Sequence, residues 1–418
     1  PQELDVSGSS FRRDTCRLCD GRDLELVVPL APTPVADDYV PAERLDEVQE
    51  TYPLDLYLCH GCGHLQLLYV VDPEILFSNY LFETSISLGL VEHYRRYADE
   101  VLAWLKPPRG ALVVEVGSND GSLLRFFRNA GMKVLGVDPA RAIAQRATEA
   151  GVETLPTFFS SELARQIKRD HGPATIVVAN NVFAHADDLP DMAEGVRDLL
   201  APDGVFVFEV AYLVDLIQKS LVDNFYHEHL SNHRVGPLQL FLQRHGLELT
   251  NIQRVDTKGG SLRGLASLAG GHHKVSPSVA SLVELETKLG LDRAEPYKLF
   301  AARIDGVKKN LGQLLLGLQQ QEKTVAGYGA STSVTTLLYH FDIAGLISFL
   351  VDDNPLKHNL YSPGHHIPVL PPKALYEKKP DYVVVLAWPY SGPIMENNQA
   401  YLDQGGHFIV PLPEVQVI

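Results

Sequence analysis

Val113-Val114-Glu115-Val116-Gly117-Ser118-Asn119-Asp120-Gly121 reads as a buried strand that stops at a glycine turn and passes into a helix. Leu112–Val116 is an apolar run bounded by glycine, the pattern of a parallel strand covered on both faces. Working outward, Ser122–Asn129 reads as a helix and Lys133–Val137 as the next strand. Further helices are expected over 141–150, 161–169 and 189–200, and strands over 153–155, 175–179 and 205–210. A helix near 238–244 leads to two extended runs, Leu247–Val255 and 262–268, joined by Asp256-Thr257-Lys258-Gly259-Gly260. Strands alternating with helices predict an α/β fold with a doubly wound parallel sheet, closed here by an antiparallel hairpin.

On either side of this unit the pattern changes. Residues 1–75 are loop-rich and punctuated by Pro29, Pro32, Pro34, Pro41 and Pro53. Leu90–Leu105 reads as an amphipathic helix ended by Lys106-Pro107-Pro108. The alternation breaks around 276–281. A long helix over 297–320 then precedes a second, smaller α/β unit, with strands at 324–328, 347–351, 381–387 and 407–410. Three domains are expected: 1–75, 76–275 and 276–418.

The 418 residues carry 36 Lys+Arg and 52 Asp+Glu, a formal net charge of −16. That balance argues against a nucleic-acid or anionic-membrane surface. No stretch approaches the ~18 apolar residues of a membrane span. No Lys/Arg-then-apolar leader opens the sequence, so a cytoplasmic protein is expected. Nothing in the pattern demands an oligomer, and a monomer is expected.

Four cysteines, Cys16, Cys19, Cys59 and Cys62, form two CxxC pairs, and the chain has no others. Two such turns supply the tetrahedral sulfur cage that zinc prefers. Two disulfides are disfavoured in a reducing cytosol, and iron or a redox dithiol are the minor readings. His60 and His64 stand beside the second pair as spare ligand types. A site closed by four cysteines is structural, with no open position for substrate.

The glycine loop is G-x-x-x-G and lacks the G-x-G-x-x-G of a dinucleotide site. Asp120 stands where a pyrophosphate would otherwise sit, which suits a cationic ligand. Asp138, ending the second strand before Pro139, is placed to bond both ribose hydroxyls of a nucleoside. A nucleoside with a positive, phosphate-free tail is S-adenosylmethionine. Glu115, Gly117, Ser118, Asn119, Asp120, Gly121, Asp138, Pro139, Asn180 and Asn181 are its expected binding residues. With its closing hairpin, the unit resembles the class I methyltransferase fold.

Two strand ends carry the polar groups. Asn180-Asn181-Val182-Phe183-Ala184-His185 follows one, and Phe225-Tyr226-His227-Glu228-His229 the next. Histidine titrates near neutrality, so such a cluster points to acid/base chemistry. Surface-loop histidines and a second metal site at His227, Glu228 and His229 are the competing readings. Phe77-Ser78-Asn79-Tyr80 is placed to fold over the site as a lid, bringing Tyr80 in.

Taken together, the cysteine pairs, EVGSNDGSLL, NNVFAH, FYHEH, KGGSLR and GYGAST…VDDNP…PGHHIPV, in this order, resemble the sugar C-methyltransferases of deoxysugar antibiotic pathways. The pattern is close to the branch that acts on the way to tetronitrose. The resemblance covers nearly the whole chain. It implies a zinc-binding domain, a methyltransferase domain and a C-terminal α/β domain that holds the nucleotide of a dTDP-linked 4-keto-deoxysugar. It also implies S-adenosylmethionine-dependent methylation at C-3 of a dTDP-3-amino-4-keto-trideoxy-hexose. His229 is the expected base and Glu228 its orienting partner. Tyr226, His185 or Tyr80 would steady the enolate oxygen. Lys258, Gly260, Ser261 and Arg263, with Tyr328, Ala330, Ser331, Thr332, Asp353 and Lys357, are the expected substrate contacts. Family members tend to carry Lys where Ser333 stands.

Three other functions fit parts of the sequence. The first is methylation of a 3-hydroxy sugar. The second is a nicotinamide-dependent nucleotide-sugar oxidoreductase built on Gly327-Tyr328-Gly329-Ala330. The third is a non-catalytic zinc scaffold, disfavoured because the glycine loop, Asp138 and the His/Tyr/Glu cluster are intact.

Overall fold

In the computed structural model, which describes residues 9–77, 84 and 89–418, Leu112–Val116 lies inside a seven-stranded sheet. From one edge the order is Leu247–Val255, Ser261–Leu268, Leu200–Ala211, Ala174–Asn180, Leu112–Val116, Lys133–Val137 and Thr154–Leu155. Only Ser261–Leu268 runs against its neighbours. Val113 packs with Ile176, Val178, Val205 and Val207 on one face, under Tyr94, Tyr97 and Val101 of helix Leu90–Leu105. Val114 and Val116 pack with Val177, Phe206 and Phe208 on the other. Successive residues of a strand point to opposite faces, so an unbroken apolar run is what two covered faces require. Pro202-Asp203-Gly204 lies within strand Leu200–Ala211, where the register shifts between Leu200 and Val205.

The strand order reverses between Ala174–Asn180 and Leu112–Val116. A crevice opens at such a point beyond the carboxyl ends of the strands. The glycine turn and Asn180-Asn181 both sit at this place.

The N-terminal unit is a four-stranded sheet ordered Ser231–Asn232, Leu65–Leu67, Leu56–Cys59, Leu24–Val28. Its edge strand Ser231–Asn232 comes from far along the chain, separated from His229 by one residue. The Leu67 amide adds a bond to the Leu230 carbonyl at 2.9 Å. The segment with the His/Tyr/Glu cluster is therefore stapled to the N-terminal sheet at its end. The C-terminal unit is a six-stranded sheet, parallel except for its last strand, Gln416–Val417.

The break expected at 276–281 is in fact the start of helix Pro277–Lys288. The Ser276 side chain accepts from the Ser278 amide, and Pro277 occupies the first turn. Both are helix-start residues, and they resemble loop residues when no strong apolar stripe follows. Among the described residues no helix is long and apolar enough to cross a membrane.

Candidate functional site

Gly117 makes the turn at the end of its strand with φ +70°, and a Cβ there would meet Val182 Cγ2 at 2.2 Å. Only glycine fits, so backbone can come close to a ligand. The amides of Gly117 and Ser118 both bond the Val137 carbonyl, at 2.7 and 3.2 Å, tying the turn to the next strand. Asp138 accepts from the Asn119 amide at 2.8 Å and from the Ala140 amide at 2.9 Å. Two of its four lone-pair directions remain for a ligand diol.

These residues line one wall of a cavity of about 600 Å³. Gly117, Asn119, Asp138 and Pro139 lie at one end, and Asn180 and Asn181 between the strands. Glu115, Ser118, Asp120 and Gly121 stand behind this wall. Asp120 accepts from the Ser122 amide at 3.0 Å and so starts helix Ser122–Asn129. Ser118 packs over Gly136, where a Cβ would meet its Oγ at 2.4 Å. Glu115 is buried in the strand, and burial pushes its carboxyl well above the usual carboxylate range.

The other end of the cavity is formed by His185, Tyr226, Glu228, His229 and Lys258. The His229 ring lies 4.0 Å from that of Tyr226 and 5.2 Å from that of His185. His229 Nδ1 is 2.6 Å from the Asn224 carbonyl oxygen. A carbonyl only accepts, so Nδ1 carries the proton and Nε2 is the basic nitrogen. The expected orienting role of Glu228 is thus filled by the Asn224 backbone. Burial lowers the His229 pKa to about 4 and takes His185 well below the ordinary histidine value. Both rings are neutral near pH 7. Burial holds the Tyr226 phenol far above its usual value, so it stays a hydroxyl donor.

His227 turns away: its Nε2 bonds the Tyr52 carbonyl at 3.2 Å. The triplet 227–229 therefore does not converge on one ion. Phe77 stacks on His185, with ring centroids 5.7 Å apart and planes 7° apart. Tyr80, and with it most of the expected lid, lies outside the described residues.

Lys258 also lines a second cavity of about 490 Å³, with Arg96, Arg254, Arg263 and Tyr390. Arg263 is already compensated: it bonds Glu209 and Glu100 at 2.6 Å each and lies over the Tyr97 ring. Gly260 and Ser261 build the hairpin turn, where Ser261 Oγ donates to the Thr257 carbonyl. Arg96, Arg254 and Tyr390 were not expected from the sequence. They sit in ordinary helix and strand contexts with no motif around them.

The C-terminal residues expected to contact the substrate line neither cavity. The Ala330 amide donates to Asp352 at 2.6 Å, and the Tyr328 hydroxyl to Asp353 at 3.1 Å. Ser331 Oγ bonds Ser333 Oγ ahead of helix Thr332–His340. The Lys357 ammonium, buried over the Tyr39 ring, is held by Asp37 at 2.5 Å. An internal carboxylate has taken the donor in the Ala330 and Lys357 cases.

The sulfur atoms of Cys16, Cys19, Cys59 and Cys62 lie within 4.8 Å of one another and form no disulfide. Cys16 to Cys62 is 3.6 Å and Cys19 to Cys59 is 3.5 Å. A zinc tetrahedron with Zn–S near 2.3 Å has sulfur–sulfur edges of about 3.8 Å. The two knuckles repeat each other. The Asp20 amide bonds the Cys16 carbonyl and the Gly63 amide bonds the Cys59 carbonyl, both at positive φ. The contact with Cys62 pulls the Cys16 thiol down to about 6 and drives Cys62 upward. Four thiolates this close need a cation, and the donor set fits zinc. His60 bonds Glu25 and His64 bonds Ser231, so neither replaces a ligand.

Three family models match the chain in sequence. They are "Putative zinc binding domain" over residues 16–77, "Methyltransferase domain" over 90–252 and "C-methyltransferase C-terminal domain" over 256–413. The C-methyltransferase NovU of Streptomyces niveus is 37% identical over 406 residues, covering 97% of each chain. Among solved structures, the magnesium protoporphyrin IX methyltransferase ChlM of Synechocystis PCC 6803, with bound SAH, is 20% identical. The match covers 43% of this chain and 85% of that one, with a TM-score of 0.34. The CcbJ methyltransferase of Streptomyces caelestis is 16% identical over 42% of this chain and 90% of its own, with a TM-score of 0.33.

Proposed function

The chain belongs to the C-methyltransferases, and from that membership we propose that it methylates C-3 of a dTDP-linked 3-amino-4-keto-trideoxy-hexose. Its cofactor is S-adenosylmethionine, which when bound supplies the sulfonium methyl, and its N-terminal unit is a zinc-binding domain. The carrying observation is that one cavity joins Gly117, Asn119 and Asp138 to His185, Tyr226 and His229. Nucleoside recognition and acid/base groups thus face the same space.

Carbon is a poor nucleophile until it is deprotonated, and a neighbouring ketone makes its proton removable. His229, neutral and with Nε2 as its basic nitrogen, takes the C-3 proton. The electron pair moves onto the C-4 oxygen as an enolate. Tyr226 donates to that oxygen. His185 Nε2, which has no hydrogen-bond partner among the described residues, is a second group for it, and Tyr80 a third. The proton stays on His229 while the carbon takes the methyl. Lys258 stands where the two cavities meet, and with Arg96 and Arg254 it receives the diphosphate. An oxidoreductase on the C-terminal glycine turn is set aside, since the Ala330 amide is already bonded to Asp352.

The test is incubation with methyl-labelled S-adenosylmethionine and the dTDP-3-amino-4-keto sugar in heavy water, read by mass spectrometry. The expected product gains one methyl, and recovered substrate carries deuterium at C-3. S-adenosylmethionine binding with no methyl transfer would reject this substrate and bring forward the 3-hydroxy sugar.

A further inference from the structure

The segment that carries Tyr226 and His229 is also held from outside its own sheet. Val222–Asn224 forms a single helical turn, and Phe225 after it is fully buried, edge to face with Phe300. Side chains of the C-terminal unit reach this turn, Ser333 beside Asp223 among them. Thr336, fully buried in helix Thr332–His340, donates its hydroxyl to the Phe225 carbonyl at 2.9 Å. Trp388 donates its indole N–H to Asp223 Oδ2 at 3.2 Å. Asp223 and Phe225 flank Asn224 on either side, and Asn224 is the residue whose carbonyl accepts the hydrogen bond from His229 Nδ1.

We propose that Thr336 and Trp388 are positioning residues for proton removal: they pin the residues on both sides of Asn224, so that its carbonyl holds His229 in one tautomer and one ring plane. Neither touches the cavity that holds the reacting groups. Each acts through the backbone of 223–225. A carbonyl free to rotate would let the imidazole swing or exchange tautomers. A misplacement of about 1 Å at a reacting group costs on the order of 10²-fold in rate. The C-terminal unit is therefore part of the alignment of the base, which lies in the loop ahead of strand Ser231–Asn232. This rests on the reading of His229 as the base.

The experiment uses the full zinc-loaded chain and three variants. Thr336→Val removes the donor at nearly constant shape, Thr336→Ser restores it, and Trp388→Phe removes the indole N–H. Two things are read. One is kcat and KM for methyl transfer beside S-adenosylmethionine affinity and zinc content. The other is the hydrogen-bonded Nδ1–H signal of His229 in nitrogen-15 histidine spectra, assigned by its loss in His229→Asn. Thr336→Val and Trp388→Phe are expected to lower kcat 10- to 100-fold. S-adenosylmethionine affinity and zinc content should stay within twofold, and the Nδ1–H signal should be lost to solvent exchange. Thr336→Ser is expected to keep both kcat and the signal. The proposal is overturned by an unchanged signal and kcat in Thr336→Val and Trp388→Phe. It is equally overturned if Thr336→Ser falls as far as Thr336→Val, or if kcat falls only together with cofactor affinity and zinc. The signal is read without substrate. A wild type that methylates no keto sugar would therefore sink the catalytic reading, while the pinning would still be judged on the spectra.

Discussion

His229 Nδ1 and the Asn224 carbonyl oxygen are 2.6 Å apart, and this single bond decides which nitrogen of the ring is basic. Glu228 is buried beside the cavity, yet the group on Nδ1 is backbone. A backbone acceptor orients the ring without adding a negative charge, and it offsets only part of the burial that lowers the pKa.

Replacing His229, the proposed base, should remove the chemistry and leave the cofactor site intact. His229→Asn is expected to lower kcat by about 10²–10⁴-fold, the usual worth of a positioned general base. Calorimetry should find S-adenosylmethionine affinity unchanged, since the Gly117–Asp138 wall is elsewhere in the cavity. A variant with full activity would move the base to His185 or to Tyr80.

Acid should destabilise the fold over a defined window. Burial lowers His227, His229 and His233 each to about 4, and takes His64 and His185 well below their ordinary value. An unfolded histidine binds its proton near pH 6.5. At these five rings the unfolded chain therefore holds more protons than the native one between pH 6.5 and 4, and their share of the stability falls as pH falls; the raised carboxyls of Glu115 and Asp223 act the other way and offset part of it. Thermal midpoints should be flat above pH 7 and drop steadily below 6.5. A midpoint constant from pH 7 to 4.5 would mean that the histidines do not dominate the acid sensitivity of the fold.

Zinc should be needed for structure alone. One zinc per chain is expected by elemental analysis, and Cys59→Ser should lose it together with the N-terminal sheet. The edge strand Ser231–Asn232 belongs to that sheet, so the loss reaches the catalytic segment through Leu230. Chelation should abolish activity only as fast as the near-ultraviolet signal of folding is lost. Rapid loss of activity with the fold retained would make the metal catalytic.

What could be read from the sequence followed the range of each signal. The seven-stranded sheet was legible because Leu112–Val116 and its neighbours write burial on both faces as unbroken apolar runs. The cysteine cage and the Asp138 turn were legible because their geometry is local. Helix Pro277–Lys288 was missed because Ser276-Pro277 signals a helix start only when the structure behind it is known. The Asn224 carbonyl was missed because backbone groups leave no residue type to notice. Arg96, Arg254 and Tyr390 come from three separate elements and meet only in the fold. The opposite error occurred at Ala330 and Lys357. They looked like substrate contacts, and nothing local revealed that Asp352 and Asp37 would take them.

Closing the glycine turn with a methyl group should cost cofactor affinity. Gly117 has φ +70°, and an added Cβ would stand 2.2 Å from Val182 Cγ2. Gly117→Ala must move either the turn or Val182, and both line the cavity. The expected result is a Kd for S-adenosylmethionine raised at least 10-fold, with zinc content unchanged. Wild-type affinity in this variant would remove the turn from the cofactor site.

Lys258 should be the residue that separates substrate binding from cofactor binding. It lines both cavities, and burial lowers its pKa, so the ammonium sits where an anion is most strongly felt. Arg263 nearby is already engaged by Glu209 and Glu100 and contributes little free charge. A hydrogen bond to a charged group is worth about 1.5–3 kcal/mol, or about 10- to 150-fold in binding. Lys258→Gln is therefore expected to raise KM for the dTDP-sugar within that range, with S-adenosylmethionine Kd unchanged. Arg254→Gln should act in the same direction but less, because Arg254 also bonds Asp215 at 2.7 Å. The effect should shrink for a substrate analogue lacking the diphosphate. An unchanged KM in Lys258→Gln, with cofactor affinity lowered instead, would place the nucleotide outside the second cavity and assign Lys258 to the methyl-donor site.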